Sequence, residues 1–102
     1  MEKRKPTHDL EAFKRVCGDL DRLRMTFVAQ RTAFDLGYEE AEVSALIRTV
    51  NRRMFCKSMT SVTNHRQWQD VYHVPTAEGL TVYLKFTDDL VTEFTILSFK
   101  ER

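Results

Sequence analysis

The spacing of apolar residues changes once along this chain, near Arg53. Before that position, apolar residues recur every three or four residues, which is typical of helices that bury one face. After it, they alternate with polar residues, which is typical of strands with one buried face. We therefore expect an α+β protein, with a helical part over about residues 8–53 and a sheet part over about residues 54–100. The helices should pack on one face of a curved, mainly antiparallel sheet.

Three helices are predicted, and each has its own boundary signals. Thr7 or Asp9 can cap the first helix, which Gly18 ends. Thr26 can cap the second, and Gly37 suits a left-handed position after its last turn. Three glutamates at the start of the third helix interact favourably with the positive end of its dipole. The predicted buried faces are Leu10, Phe13, Val16 and Cys17 in the first helix, Ala29, Ala33 and Leu36 in the second, and Val43, Leu46, Ile47 and Val50 in the third.

The alternating part of the chain predicts four strands, at residues 54–60, 67–74, 80–87 and 91–100, and a short extended segment is predicted at 23–25. In the last hairpin, a two-residue loop would place Leu84 opposite Glu93, whereas a three-residue loop at 88–90 keeps apolar residues opposite one another. We therefore expect the three-residue loop. The predicted pairs are Leu84 with Phe94, Val82 with Ile96, and Lys85 with Glu93.

Length and charge limit the classes of protein that this chain can represent. Its 102 residues predict one domain, residues 1–102. The net charge of +1 lacks the basic excess of proteins that coat nucleic acids nonspecifically, although it is compatible with a small local basic site. No apolar stretch reaches the ~20 residues of a membrane span, and the charged N-terminus has no apolar region behind it. Because Cys17 and Cys56 are isolated, as in reducing compartments, we expect a cytoplasmic protein without membrane association.

Several catalytic signatures are missing from the sequence: a glycine-rich phosphate loop, a nucleophile elbow, a metal-binding His-Glu helix and a paired-cysteine zinc site. We therefore expect no metal and no cofactor. Polar side chains are concentrated on the predicted strands instead. They are Lys57, His65, Gln69, Tyr72, His73, Tyr83, Lys85 and Lys100. Such a set suits a phosphodiester, because metal-free RNA cleavage needs a proton acceptor, a proton donor and groups that stabilise charge on phosphorus.

Four short runs, in order along the chain, carry a family resemblance. They are Phe55-Cys56-Lys57-Ser58-Met59-Thr60, then His65 followed by Trp68-Gln69-Asp70-Val71-Tyr72, then Tyr83-Leu84-Lys85, and finally Ser98-Phe99-Lys100-Glu101. Together with the opening Met1-Glu2-Lys3-Arg4, they resemble the MqsR (motility quorum-sensing regulator) family. The resemblance implies a RelE-like fold and the toxin of a bacterial type II toxin–antitoxin pair. Such toxins are ribosome-independent mRNA endoribonucleases that favour GC-containing triplets such as GCU.

The resemblance also implies the partners of the chain. These are an mRNA substrate and an MqsA-like antitoxin, which has a zinc-binding domain and a helix-turn-helix domain. Operator DNA would be contacted only through that antitoxin. We expect the antitoxin to dock on a sheet edge or on the outer sheet face by strand pairing.

Matched position by position, the family's functional residues are Lys57, Gln69, Tyr83 and Lys100. Since lysine is protonated at neutral pH, Lys57 is expected to stabilise charge on the phosphorane first and to transfer protons second. Gln69 would orient a phosphate or a base edge, and Tyr83 would donate a proton or stack on a base. Lys100 would neutralise a phosphate. Each residue also has a purely structural alternative. Lys57 would be an exposed strand lysine and Gln69 would form a cross-strand hydrogen bond. Tyr83 would be a half-buried sheet tyrosine, and Lys100 would belong to a solvated tail.

Weaker candidates for substrate binding are Cys56, His65, His73 and Lys85. Histidine suits acid–base chemistry at neutral pH, although His65 can instead order a turn and His73 can instead shape the rim of the site. Cys56 stands where the family typically has tyrosine. Because cysteine cannot stack on a base, the choice of target triplet can differ in this chain.

The predicted direction of Lys100 conflicts with its assigned role. Counting by twos from Phe94 and Ile96 places Lys100 on the apolar face, opposite to Tyr83. Either a β-bulge near Ser98 turns the side chain around, or the side chain reaches around the end of the sheet. The sequence leaves both open.

The residues and the resemblance together predict a metal-independent mRNA endoribonuclease that cleaves by attack of the 2′-hydroxyl. The alternative is a catalytically weak module that binds the antitoxin and acts mainly in transcriptional autoregulation. A metal-dependent nuclease is disfavoured, because Asp70, Asp88 and Asp89 have no ligand-like arrangement in the sequence.

Overall fold

A computed structural model of the chain describes residues 1–89 and 93–102, and within them it confirms the predicted α+β class. Five strands form one open antiparallel sheet in the order in which they occur along the chain, and three helices cover one of its faces. The helices are α1 (Leu10–Cys17), α2 (Phe27–Asp35) and α3 (Glu40–Ile47). The strands are β1 (Glu2–Lys3), β2 (Phe55–Thr60), β3 (Trp68–Pro75), β4 (Thr81–Asp89) and β5 (Glu93–Glu101). In the part of the chain that is described, no helix is long and apolar enough to span a membrane.

Local capping interactions begin and end the helices much as expected. Asp9, not Thr7, caps α1, because its carboxylate accepts the backbone N–H groups of residues 11 and 12. The Thr26 hydroxyl accepts the Ala29 N–H at the start of α2. Gly37, after α2, has a φ of +88°, the left-handed conformation that glycine adopts without strain.

The hydrophobic core lies between the helices and the inner face of the sheet. Its centre is the ring of Phe13 from α1, which stacks on Phe86 of β4 with ring centroids 3.6 Å apart. The predicted helix faces are mostly buried there, although Leu10, Leu36 and Leu46 are only half-buried. The inner face of the sheet contributes Tyr72, Val74, Val82, Leu84, Phe86, Phe94, Ile96 and Phe99.

The N-terminal strand β1 was not predicted, so the sheet is not confined to residues 54–100. Glu2 and Lys3 pair with Met59 and Ser58 at the edge of β2. The segment that follows is anchored by the fully buried carboxylate of Asp70, which accepts the backbone N–H groups of residues 7 and 8 at 2.9–3.1 Å. This anchor leads the chain from the sheet edge to α1.

Two β-bulges reverse the direction of side chains, one in β2 and one in β5. In β2, Phe55 pairs with Tyr72 but Lys57 pairs with Val71, so Cys56 is an extra residue. Phe55 therefore packs against the core although Lys57 faces away from it. In β5, Ile96 pairs with Phe86 and Ser98 pairs with Lys85, so Leu97 is an extra residue. This second bulge confirms the first of the two explanations for Lys100.

The predicted register of the last hairpin is wrong. Leu84 pairs with Phe99, not with Phe94, and the partner of Lys85 is Ser98. Asp88 and Asp89 belong to β4, where they pair with Phe94 and Glu93, and the bulge at residue 97 then shifts the register by one more residue. Val82 consequently pairs with Glu101 instead of Ile96. Leu90 of the predicted loop and Val91 of the predicted strand lie outside the described residues.

The helical part of the chain covers the outer edge of β5. Met25, in the predicted extended segment, forms a parallel bridge with Ile96. Ile96 accepts the Thr26 N–H at 3.0 Å and donates its own N–H to the Arg24 carbonyl at 2.9 Å. The Thr32 hydroxyl of α2 donates to the Phe99 carbonyl at 2.7 Å. Free backbone groups of this edge strand are thereby satisfied within the chain.

Candidate active site

All four residues matched to the family's functional positions lie on the face of the sheet that is turned away from the helices, which we call the open face. Since Tyr72 and Val74 of β3 point into the core, residues 69, 71 and 73 point the other way. The residues of β2, β4 and β5 that pair across the sheet with these positions share the same face. The open face contains Lys57 and Met59 of β2, Gln69, Val71 and His73 of β3, Tyr83, Lys85 and Thr87 of β4, and Ser98 and Lys100 of β5.

One row across the open face contains His73, Tyr83 and Lys100, which are direct cross-strand neighbours. The ring centroids of His73 and Tyr83 are 5.9 Å apart. On the other side, the Lys100 ammonium lies 5.3 Å from the centre of the Tyr83 ring, within the range of a cation–π interaction. Tyr83 is thus held between an imidazole and a cation, and the bulge at Leu97 is what brings Lys100 to it.

The next row contains Lys57, Val71 and Lys85. Val71 is fully buried, yet it is not part of the core cluster beneath the helices. Its neighbours on both sides are lysines, whose aliphatic stems can cover an apolar side chain while their charged ends remain in solvent. The open face therefore has an apolar floor, and it holds its lysines in a packed arrangement.

Gln69 lies beside this row, diagonally across from Lys57, and is only 7% exposed. The predicted alternative for Gln69 was a cross-strand hydrogen bond. Between residues 1 and 89 and from 93 onwards, no hydrogen bond of its side-chain amide is formed within the chain. The amide is therefore held by packing and is available to a ligand.

Like charges converge on the open face. Burial lowers the pKa of Lys85 from its ordinary value of 10.5, and the charges of Lys100 and Lys57 lower it further. The pKa of His73 is also lowered, first by burial and then by Arg102 and Lys57. The imidazole is therefore neutral at pH 7 in the free protein. A bound phosphodiester would relieve this repulsion between cations.

Sequence reasoning missed Glu2 as a member of the site. Its carboxylate lies 3.6 Å from the Lys57 ammonium, and the two side chains are 60% and 31% exposed. The strand β1 brings Glu2 to this position. The signal available in the sequence was the match of Met1-Glu2-Lys3-Arg4 to the resembled family, which was not assigned a function. Arg102 was also missed, although its charge acts on His73.

The remaining candidates are less central. Cys56 is the half-buried extra residue of the first bulge, directly before Lys57. His65 is exposed in the connection between β2 and β3, and no contact joins it to the rows described above within residues 1–89 and 93–102. Tyr72, one of the polar residues of the predicted strands, faces the core instead. Burial raises the pKa of Tyr72 to about 12.

The open face is not a closed pocket. A cavity of 570 Å³ lies on the helical side, between α2 and α3, and is lined by Leu20, Phe34 and Tyr38 among others, but by none of the predicted site residues. Nor do the described residues bring three His, Cys, Asp or Glu side chains together as metal ligands. An open, cationic surface with aromatic and amide groups suits an extended anionic chain better than a small enclosed ligand.

Comparisons with known proteins agree with the resemblance noted in the sequence. A family model described as the motility quorum-sensing regulator, toxin of MqsA, matches residues 5–101. The chain is also 35% identical to the mRNA interferase toxin MqsR of Escherichia coli (strain K12), over 102 residues that cover 100% of both chains. The chain therefore belongs to the MqsR toxin family.

Proposed function

We propose that this protein is the toxin of a type II toxin–antitoxin pair and an endoribonuclease that cleaves mRNA without ribosomes and without a metal ion. Family membership supports the class of activity. The observation that carries the chemistry is the common location of Lys57, Gln69, Tyr83 and Lys100 on the open face. The binding-module alternative gives no reason for Lys57 and Lys100 to be placed around Lys85, whose pKa burial and their charges lower.

In the proposed reaction, the 2′-hydroxyl of one nucleotide attacks its own 3′-phosphate. The new P–O2′ bond forms as the P–O5′ bond breaks, which leaves a 2′,3′-cyclic phosphate and a 5′-hydroxyl. The step requires removal of the 2′ proton, stabilisation of the extra charge on phosphorus and protonation of the leaving 5′-oxygen.

The residues of the open face supply groups for these tasks. Lys57 and Lys100, on opposite sides of the face, would stabilise the phosphorane by their charge. The Tyr83 hydroxyl, which lies in the row between His73 and Lys100, would protonate the leaving oxygen, or its ring would stack on a base. The Gln69 amide would orient a phosphate oxygen or a base edge.

Target choice is proposed to follow the family's preference for GC-containing triplets such as GCU, with one change. Cys56 occupies the position at which the family typically has tyrosine, and it lies next to Lys57. Its side chain cannot stack on a base, so we expect weaker selection at the nucleotide nearest to Lys57. His65 is proposed to contact RNA beyond the cleaved bond.

The proposed protein partner is an MqsA-like antitoxin with a zinc-binding domain and a helix-turn-helix domain. Strand addition at β5 would have to displace segment 24–26 and Thr32, which already satisfy that edge. At the opposite edge, Glu2 and Lys3 of β1 pair with residues 59 and 58 of β2, and the Met1 carbonyl accepts the Thr60 N–H at 2.9 Å, so the first half of β2 has no paired strand on that side within the described residues. We therefore propose that the antitoxin docks at the β1–β2 edge or on the adjoining open face.

The test is cleavage of a single-stranded RNA containing a GCU triplet by the purified protein in EDTA, with the ends of the products mapped. We expect fragments with 2′,3′-cyclic phosphate and 5′-hydroxyl ends, and a loss of about 100-fold or more in rate for Lys57→Ala. The matched control is Lys14→Ala on α1, across the sheet from the open face. An absence of product, or unchanged activity in Lys57→Ala, would favour the binding module. Abolition of cleavage by EDTA would indicate a metal-dependent nuclease.

A further inference from the structure

We propose that Lys85 is a catalytic residue of this site, the amine that removes the proton from the attacking 2′-hydroxyl. The inference rests on the endoribonuclease activity proposed above. The family match at Lys57, Gln69, Tyr83 and Lys100 leaves the proton acceptor unidentified, because lysine and tyrosine side chains are normally protonated at neutral pH.

The position of Lys85 is the first argument. It lies on β4, between Val71 of β3 and Ser98 of β5, and it follows Tyr83 by two residues on the same face. Lys57 flanks it beyond Val71, and Lys100 lies diagonally across on β5. A phosphate bound by both of these outer lysines would therefore lie over Lys85.

The surroundings of the three lysines are the second argument. Lys57 has a carboxylate neighbour in Glu2 at 3.6 Å, and Lys100 is exposed against the Tyr83 ring. Each of these two ammonium groups therefore has a neighbour that attracts a positive charge. Lys85 is half-buried, and within the described residues it forms no ion pair with a carboxylate. Of the three, it is the one whose charge is least compensated.

The cations around Lys85 disfavour its protonated form. They are Lys57 on β2 and Lys100 on β5. His73 on β3 and Tyr83 on β4 also border Lys85, and the carboxylate of Glu2 on β1 is paired with Lys57. Burial and the two lysine charges lower the pKa of Lys85. A larger fraction of its amine is therefore neutral near pH 7 than in an ordinary lysine, which is the form that can accept a proton.

The step balances with the groups present. The neutral Lys85 amine takes the proton of the 2′-hydroxyl and becomes an ammonium. The O2′ electron pair forms the bond to phosphorus, and the electron pair of the P–O5′ bond leaves with O5′, which takes a proton from the Tyr83 hydroxyl. Proton exchange with water then restores the neutral amine and the phenol.

The experiment compares Lys85→Arg and Lys85→Ala with the wild type in single-turnover cleavage of a GCU-containing RNA, from about pH 5 to pH 10. Arginine keeps the charge but cannot lose its proton, so we expect Lys85→Arg to bind a cleavage-resistant 2′-deoxy version of the RNA within about threefold of wild type. Its cleavage rate should fall about 100-fold or more, and its rate should lose the rise with pH that the wild type shows.

Added propylamine provides a second readout that a merely structural role would not change. It should restore part of the activity of Lys85→Ala in proportion to the concentration of neutral amine, and it should not affect Lys57→Ala. Near-wild-type cleavage by Lys85→Arg with an unchanged pH profile, or an absence of amine rescue in a folded Lys85→Ala, would overturn the inference while leaving the proposed function intact. A wild-type protein that cleaves no RNA would overturn both.

Discussion

Lys57 and Glu2 form an ion pair at the edge of the open face. This pair affects the stability of the fold and the binding of an anion in different ways. At 3.6 Å, with both side chains partly exposed, it adds little to stability, since water screens such pairs. Its carboxylate also lies where an incoming phosphate would be repelled. Glu2 therefore holds Lys57 in place at some cost to the binding of an anion.

We predict that Glu2→Gln changes the free energy of unfolding by less than about 1 kcal/mol. The same change should tighten binding of a cleavage-resistant RNA about twofold to threefold at low salt, an effect that fades as salt screens the charge. Fluorescence anisotropy at low and high salt measures it. Glu11→Gln, which removes the carboxylate near Lys14 on α1, is the matched control and should leave binding unchanged. Weaker binding by Glu2→Gln would contradict this prediction.

Lys85 should cost stability at neutral pH. Its pKa is lower in the folded protein than the ordinary 10.5 expected when unfolded, so the folded state binds its proton less readily. Above about pH 10.5 the amine is neutral in both states and the cost is absent, whereas below that pH the cost grows as the pH falls towards the folded-state pKa. At pH 7, well below 10.5, Lys85 therefore destabilises the folded state.

Replacing Lys85 with methionine, of similar length and without charge, is therefore expected to raise the melting temperature by a few degrees at pH 7 while abolishing cleavage. The gain should shrink when melting is measured near pH 10. Lys14→Met, which removes a lysine from a favourable ion pair, should show no such gain. A melting temperature of Lys85→Met that is lowered at pH 7 would disprove the proposed cost.

At the scale of elements, the two bulges determine which side chains reach the open face. If Cys56 were paired as in a regular strand, Phe55 and Lys57 would point the same way, because residues two apart in a regular strand share a face. The bulge at Leu97 likewise reverses the directions of Phe99 and Lys100 relative to those expected from Phe94 and Ile96. Each bulge lets one strand supply an aromatic ring to the core and a cation to the site.

Deleting Leu97 should remove the bulge yet leave Phe99 in the core and Lys100 on the open face, because Ser98 would then follow Ile96 directly and keep its pairing with Lys85. Since the fully buried Phe99 keeps its place, the loss in the free energy of unfolding should stay well below the ~3 kcal/mol or more expected for Phe99→Ala, both measured by urea denaturation. An equally large loss in the deletion variant would show that Phe99 has left the core.

At the scale of the whole molecule, the charge is nearly balanced but unevenly distributed. The net charge is +1, yet Lys57, Lys85 and Lys100 are gathered on one face of the sheet. Nucleic-acid binding depends on such local fields more than on total charge. Binding should therefore be confined to the open face and should involve few phosphates.

We predict that the logarithm of the RNA association constant falls with the logarithm of salt concentration with a slope of about −2, which corresponds to three phosphate contacts with a single strand. Lys100→Gln should reduce the slope to about −1.4. Anisotropy titrations with the 2′-deoxy RNA at several salt concentrations measure both, and Arg31→Gln on α2 should leave the slope unchanged. A slope near zero for the wild type would mean that the open face does not bind the RNA backbone.

Much of the fold could be predicted because its signals are local. Asp9 and Thr26 cap helices through hydrogen bonds within three residues, and the alternation of β4 is visible along a single strand. The family motifs likewise identified four residues that the structure brings to one face. These features depend on neighbours in the chain, so the order of residues alone determined them.

The tertiary structure decided the features that depend on pairing between distant segments. The register of β5 depends on a bulge that the pattern of Phe94 and Ile96 does not reveal, and the pairing of Glu2 with Lys57 joins residues more than fifty positions apart. The lowered pKa of Lys85 likewise arises from burial in the sheet and from charges on two other strands. Cross-strand register is set by the packing of the whole sheet against the helices, and this packing determines which cations meet around Val71.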